Sequence, residues 1–293
     1  MKAGSSGHHG TLEPAAARSP ARLRQWLAEF WAIPAARALV ALCLVMVLGC
    51  LFHAEGAFFK LGTHRDALRQ ASVFGILACG LTLVIISGGI DLAVGSVLAV
   101  VAVSFSLMSI HWGWPGWISI PLSLLLGLSC GGVSGVLAAR LGLQPFIATL
   151  AMMVFARGLA KTVSGGMKVS TAVKNADGTY QYVDVPSIFR ALDSRVLGSN
   201  VAVVTLIFLA CALLAWLALS KHYWGRYLYA IGGNEEAARL SAVPIRMSKF
   251  AAYAASGLFA AVAGLCQAAQ EQQGDPEAGA GYVLTAIAIV VIG

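Results

Sequence analysis

Charge is what this sequence has least of. Only 11% of its 293 residues are Asp, Glu, Lys or Arg, against about 25% in soluble globular domains. A water-soluble chain could not cover its surface with so few charges. The 58% of hydrophobic residues and the 32 glycines place it in a bilayer instead. The phosphate-binding loop Gly-x-x-x-x-Gly-Lys-Ser/Thr is missing, so no segment reads as an ATP-hydrolysing centre. His-Glu-x-x-His and Gly-x-Ser-x-Gly are missing too, which leaves an enzyme reading without its usual signatures. The six cysteines (Cys43, Cys50, Cys79, Cys130, Cys211 and Cys266) all lie in apolar runs. Their spacing matches no metal motif, and none sits in a polar loop where a disulfide framework would be expected. The N-terminus does not read as a cleavable signal peptide either. Residues 1–37 are polar and rich in Ala and Arg, His8 and His9 included, and read as a disordered cytoplasmic tail. The net charge of +7 comes from basic residues at the ends of apolar runs. That pattern is membrane flanking and does not call for nucleic acid.

What is present is a series of spans. Uncharged stretches run 38–54, 70–90, 92–139, 141–156, 196–220, 250–270 and 278–293. A helix needs about 20 residues to cross the hydrocarbon core, so 92–139 is two spans. They are broken at His111-Trp112-Gly113-Trp114-Pro115-Gly116-Trp117, where three tryptophans suit the headgroup level. The expectation is an all-α polytopic membrane protein of about eight helices: a polar tail over 1–37 and a transmembrane domain over 38–293. Two longer polar stretches, 161–199 and 220–249, stand outside the bilayer. With the N-terminus inside, the inner segments carry eleven Lys/Arg and the outer ones eight, a bias of the expected sign for an inner-membrane protein. Gly127, Gly131 and Gly135 repeat every four residues in the fourth span, so one helical face lets a second backbone approach closely.

Two segments carry polar groups in unusual places. In Gly88-Gly89-Ile90-Asp91-Leu92-Ala93-Val94-Gly95-Ser96, a carboxylate stands between two apolar runs beside paired glycines. One reading is a helix broken at membrane depth, with Asp91 capping the helix that follows. The other is an interfacial turn with Asp91 solvated. In Gly225-Arg226-Tyr227 through Gly232-Gly233-Asn234-Glu235-Glu236 to Arg239-Leu240-Ser241, Asn234 caps a short helix with two acids in its first turn. That helix is either a solvated surface element or a docking site for a cytoplasmic partner.

These residues carry a resemblance. The segment 225–264 resembles the cytoplasmic loop and following helix of the permease subunits of bacterial ABC importers of the ribose/monosaccharide class. Gly88–Ser96 resembles that family's Gly-Gly-Ile-Asp-Leu-Ser-Val-Gly-Ser signature, with Ala93 in place of Ser. Pro145–Leu150 running on through Arg157-Gly158-Leu159-Ala160 is a third match, and Gly281-Tyr282 through Ile292-Gly293 a fourth. The resemblance implies a permease subunit that binds no cofactor itself, ATP and Mg residing on a partner ATPase subunit. It implies that Gly225, Arg226, Gly232, Gly233, Asn234, Glu235, Glu236 and Arg239 form the ATPase-coupling loop. It further implies a periplasmic sugar-binding protein facing 161–199 and 270–281, and a second permease subunit completing the path. Where the family has acids flanking Leu284, this chain has Val283 and Thr285. Family members continue past the final Gly, so the resemblance also implies a shortened chain at Gly293. An ion-coupled carrier or channel, or a shortened permease without function, are the other readings.

Overall fold

The computed structural model describes residues 34–52, 55–174 and 179–292, with Arg24 and Glu29. Most of the expected tail, residues 175–178 of the polar stretch 161–199 and Gly293 lie outside the described residues. The chain divides into two compact units, residues 1–52 with 292–293, and residues 53–291. Helix α1 (Pro34–Leu51) belongs to the first and carries no charged residue after Arg37. Leu42, Leu44, Val45 and Val47 stand exposed on it, as lipid contact allows.

The second unit is built of helices. They are α2 (Leu61–Ile86), α3 (Val94–Ser106, prolonged by a π turn over Leu107–His111), α4 (Gly116–Ala139), α5 (Pro145–Ser164), α6 (Ser187–Leu192), α7 (Val203–Ser220), α8 (Tyr223–Gly233), α9 (Glu235–Leu240), α10 (Ile245–Glu271) and α11 (Tyr282–Ile292). Two small antiparallel pairs lie between α5 and α7: β1 (Ala172–Lys174) with β2 (Tyr180–Tyr182), and β3 (Arg195–Val196) with β4 (Val201–Ala202). Among the described residues, six helices (α2, α3 with its π turn, α4, α5, α7 and α10) are long and apolar enough to cross a membrane. Two shorter apolar helices, Leu39–Leu51 and Tyr282–Ile292, occupy the first and last of the eight expected positions. The protein is an all-α, multi-pass membrane protein.

Helix limits follow local chemistry. Pro145 opens α5 where its missing N–H costs nothing, and Gly165 closes it in the left-handed region. The expected fifth span, 141–156, therefore begins four residues later and runs on to Ser164. The seventh starts at Ile245, so α10 claims the last residues of the expected 220–249 loop. Helix α3 is the centre: Val97 through Val103 and Phe105 are all buried. It is enclosed by α10, α5 and α4, so almost no face of it is left for lipid.

The glycines of α4 meet α10. A Cβ on Gly131 would lie 2.9 Å from the Cα of Gly257, and one on Gly135 would lie 2.9 Å from the Phe250 carbonyl oxygen. At Gly127 it would lie 2.6 Å from the Gly257 carbonyl. Two backbones thus touch along the seam, which only residues lacking a side chain permit. At the α4–α5 link, the Arg140 guanidinium lies over the Phe250 ring, 5.5 Å from its centroid.

Candidate functional site

The break between α2 and α3 is where the motifs converge. Helix α2 ends at Ile86, and residues 87–93 are not helical before α3 begins at Val94. Gly88 takes φ 79°, a left-handed turn that a side chain would strain. The chain then runs back along α10. Asp91 is 2% exposed. One carboxylate oxygen accepts the Ser256 hydroxyl at 2.7 Å and the other accepts the Ala93 amide at 2.9 Å. Ala93 occupies the cap position of α3, with no side-chain cap bond. Asp91 therefore acts two residues before the cap, organising the turn that enters the helix, and the expected capping role does not form. Ser256 stands about 16 Å along α10 from Ile245 at 1.5 Å per residue, close to the middle of that 27-residue helix. The carboxylate lies well inside the bundle, away from either mouth.

Three other segments close on this break. The Thr149 hydroxyl, bonded to the Pro145 carbonyl at 3.0 Å, also lies 3.3 Å from the Ile90 carbonyl. A Cβ on Gly95 would meet the Gly279 carbonyl group and the Val283 side chain, so the segment before α11 runs against the first turn of α3. Gly232, in the last turn of α8, presses on the Ile86 carbonyl so closely that a Cβ there would overlap the oxygen. Gly95 and Ser96 themselves are buried in α3.

The segment after α7 forms two short helices. His222 accepts the Trp224 amide and opens α8, within which Gly225 packs on the Ala218 and Leu219 backbone. Asn234 ends α8 and caps α9, accepting the Ala237 amide at 3.0 Å. Arg226 and Gly233 are exposed. Glu236 and Arg239 pair with each other across one turn at 2.6 Å and stand well exposed. Glu235 instead pairs with Lys249 of α10 at 2.6 Å. Ala238 and Leu228 are buried beneath, so α9 is anchored by its apolar side and presents its charged one.

Beside the break lies a polar cavity of about 220 Å³, lined by Ser87 and Gly89, the α4–α5 link from Gly142 to Pro145, Glu235, Lys249 and Tyr253. Lys249, Tyr253 and Ser256 were not singled out by the sequence reading. Their spacing of four and then three residues puts them on one face of α10, a signal present in the sequence but easily lost among the alanines of that helix.

At the other end of α10 the arrangement differs. Residues 272–281 turn inward, and Arg157 of α5 donates to the Pro276 and Ala278 carbonyls, the latter at 2.8 Å. Lys161 pairs with Glu277 at 2.6 Å and Lys168 with Asp275 at 2.9 Å. Partial burial pushes the Asp275 carboxyl up. The hydrogen bond from Lys168, the Glu277 amide and the charges of Lys168 and Arg157 outweigh this and hold it below the ordinary carboxylate range. The hydrogen bond and charge of Lys161 hold Glu277 low as well, and those of Asp275 raise Lys168. Arg69 pairs with Asp193, and Arg195 with Asp66. Phe189 of α6 is fully buried and stacks on Phe105, ring centroids 4.8 Å apart. Among the described residues no cluster of His, Cys, Asp and Glu is arranged to hold a metal.

A family described as branched-chain amino acid transport system / permease component matches residues 65–293. The ribose import permease protein RbsC of Escherichia coli is 35% identical over 277 residues, 92% of this chain and 80% of that protein. The fructose import permease protein FrcC of Rhizobium meliloti is 32% identical over 89% of this chain and 70% of its own length. The xylose transport system permease protein XylH of E. coli is 29% identical over 87% and 77%. No solved structure matches. The chain belongs to this permease family and is a transport subunit.

Proposed function

We propose that the chain is the membrane-spanning subunit of an ATP-driven importer of a monosaccharide, a pentose or hexose, in the bacterial inner membrane. Relatives named for ribose, fructose and xylose import support the substrate class. In this reading ATP and Mg are bound and hydrolysed on a separate cytoplasmic ATPase subunit, and this chain binds no cofactor of its own. A periplasmic binding protein delivers the sugar, and a second permease copy or homologue completes the path. The N-terminus lies in the cytoplasm, so α8 and α9 face the ATPase and residues 165–202 and 272–281 face the periplasm.

One observation carries the mechanism. The segment Asn234–Arg239, capped and charged, is joined through Gly232 to the α2–α3 break and through Glu235 to Lys249 of α10. A partner that grips the exposed Glu236 and Arg239 moves α9 as a unit. The displacement passes by backbone contact to the break and by the ion pair to α10. A lone solvated helix would have neither connection.

The test is recovery of an ATPase subunit with the tagged chain from solubilised native membranes. In the variant Glu236→Lys with Arg239→Glu, an internal pair across the same turn is retained while the charges offered to a partner are exchanged. Recovery with the parent and loss with this variant is expected. Equal recovery with both would remove α9 as the docking element. No ATPase with either would sink the importer reading in favour of a carrier working alone.

A further inference from the structure

The segment that follows α7 carries more positive charge than the fold uses. Helix α7 ends at Ser220, and the Lys221 ammonium lies over the Trp216 ring, 5.7 Å from its centroid. A cation beside an aromatic ring at the end of a span marks the headgroup level, so α8 starts at the bilayer surface. Between Ser220 and Ala251 the acids are Glu235 and Glu236, and both are paired, with Lys249 and Arg239. Lys221, Arg226 and Arg246 are exposed, and among the described residues none of the three has an ion-pair partner. They stand beside an apolar groove of about 350 Å³, walled by His222, Tyr223 and Tyr227 on one side and by Pro244, Met247 and Ala251 on the other. The His222 and Tyr223 rings pack 4.1 Å apart and the Tyr223 and Tyr227 rings 5.6 Å apart. His222 Nδ1 accepts the Trp224 amide, which leaves the ring proton on Nε2 as a donor. Met247 is 59% exposed. Lys221 and Arg246 adjoin His222 and Met247 in the chain, and Arg226 lies one turn from Tyr223 on α8. A soluble anion would answer the cations and leave the apolar walls wet. A neutral acyl chain would fill the walls and leave the cations unanswered.

We infer that this groove is a binding site for an anionic phospholipid, one acyl chain lying between the α8 rings and the first turns of α10 and the phosphate meeting Lys221, Arg226 and Arg246. Basic pockets between helices at the cytoplasmic surface suit such headgroups. The inference rests on the proposed function only for the leaflet, which is then the cytoplasmic one. The loop that the family resemblance gives whole to the ATPase is thereby divided. Helix α8 seats on the bilayer through Arg226 and its tyrosines, along the rim of the face turned toward the ATPase. Helix α9 keeps Glu236 and Arg239 for the partner.

Photocross-linking reads the site directly. The full-length chain in lipid nanodiscs, alone and as recovered with its ATPase, is irradiated with phosphatidylglycerol carrying a diazirine in one acyl chain. A parallel sample receives the phosphatidylcholine analogue, and adducts are mapped by mass spectrometry. Adducts on residues 222–227 and 244–251 are expected to be about tenfold or more abundant with phosphatidylglycerol, since each cation near the surface favours an anionic lipid about fivefold. Arg246→Gln should raise the half-saturating phosphatidylglycerol fraction by about that factor. Met247→Trp narrows the groove without touching the charges and should lower the adducts on both segments. Equal yields from the two lipids overturn the inference, and so does selectivity that neither Arg246→Gln nor the triple variant with Lys221→Gln and Arg226→Gln reduces. Adducts present in the free chain and abolished in the ATPase complex give the groove to the partner and overturn it too. Selective adducts without any recoverable ATPase keep the site and remove the importer reading. An ATPase-bound chain without lipid selectivity does the reverse.

Discussion

The two ends of α10 are held by opposite means. At the α8–α9 end, contact is backbone to backbone, Gly232 on Ile86, with the Glu235–Lys249 ion pair tying α9 to α10. At the other end the segments outside the helices are fastened by charge, through Lys161–Glu277, Lys168–Asp275, Arg69–Asp193, Arg195–Asp66 and the bonds from Arg157. Close backbone contact transmits displacement, because it has no side chain to rotate out of the way. Ion pairs near a surface fix a loop but yield to water and salt. The difference suits a machine driven from one end and opened at the other.

The largest effect should come from adding one methyl group at the α8–α9 end. Gly232→Ala places a Cβ into the Ile86 carbonyl, whereas Gly233→Ala meets nothing within 4 Å. Overpacking costs about 1–3 kcal/mol and cannot be relieved by a rotamer change here. Uptake by the reconstituted complex should fall by about tenfold or more in the first variant, as 1.4 kcal/mol implies, and by less than about twofold in the second. Equal behaviour of the two would mean that the contact with the break carries no motion.

At the opposite end, Arg157→Met removes the donor that holds the inward-turning segment. Its bonds to the Pro276 and Ala278 carbonyls are charge-assisted, and such bonds contribute about 1.5–3 kcal/mol each before desolvation of the guanidinium is set against them. A net loss of about 1–3 kcal/mol is expected, seen as a lower unfolding temperature of the solubilised chain. ATPase recovery should be unchanged. Loss of ATPase recovery would show that the two ends are not separable.

The sequence made some of this legible and hid the rest for identifiable reasons. The Gly127/Gly131/Gly135 face could be read because helical periodicity fixes which residues share a side, and α4 is straightforwardly helical. The helix break at Asp91 could be read as one of two alternatives, since paired glycines and a carboxylate interrupt an apolar run. Its depth could not, because Ser256 lies 165 positions away and only the fold brings it to Asp91. Glu235 and Glu236 looked equivalent as first-turn acids of one helix. The structure separates them by partner: Glu235 reaches across to Lys249 of α10, and Glu236 pairs with Arg239 of its own helix. Asp275 and Glu277, in the stretch 270–281, pair with Lys168 and Lys161, and Glu271 accepts from Gln267. Pairs between distant segments leave no local periodicity to detect.

That separation makes a smaller prediction. Glu235→Lys should weaken ATP-driven uptake by several-fold, through like-charge repulsion with Lys249, while ATPase recovery stays near the parent level. Adding Lys249→Glu restores the pair with reversed polarity and should recover most of the uptake. A partly exposed pair of this kind is worth about 0–1 kcal/mol to stability, so the unfolding temperature should barely move. If the double variant stays as impaired as Glu235→Lys alone, then Glu235 touches the partner directly and the pair is incidental.

The smallest effect is the response of the charge-fastened end to pH. Asp275 and Glu277 are held below the ordinary carboxylate range, so their contribution is fully present above that range. It is lost as pH falls through the lowered values, below about pH 4. Lys168 is raised, so its contribution is present below the ordinary lysine value of about 10.4 and is lost only as pH climbs beyond it. Between these limits the segment should be indifferent to pH. Hydrogen exchange of the amides over 272–281, corrected for the intrinsic rate, should therefore be flat from about pH 5 to 9 and should quicken in acid. Helix α4 provides the contrast within the same molecule, since residues 116–139 contain no carboxylate, amine or imidazole. If α4 quickens in step with 272–281, acid is opening the whole bundle. If only 272–281 responds, the ion pairs are a local fastening that can release without disturbing the glycine-packed seam between α4 and α10.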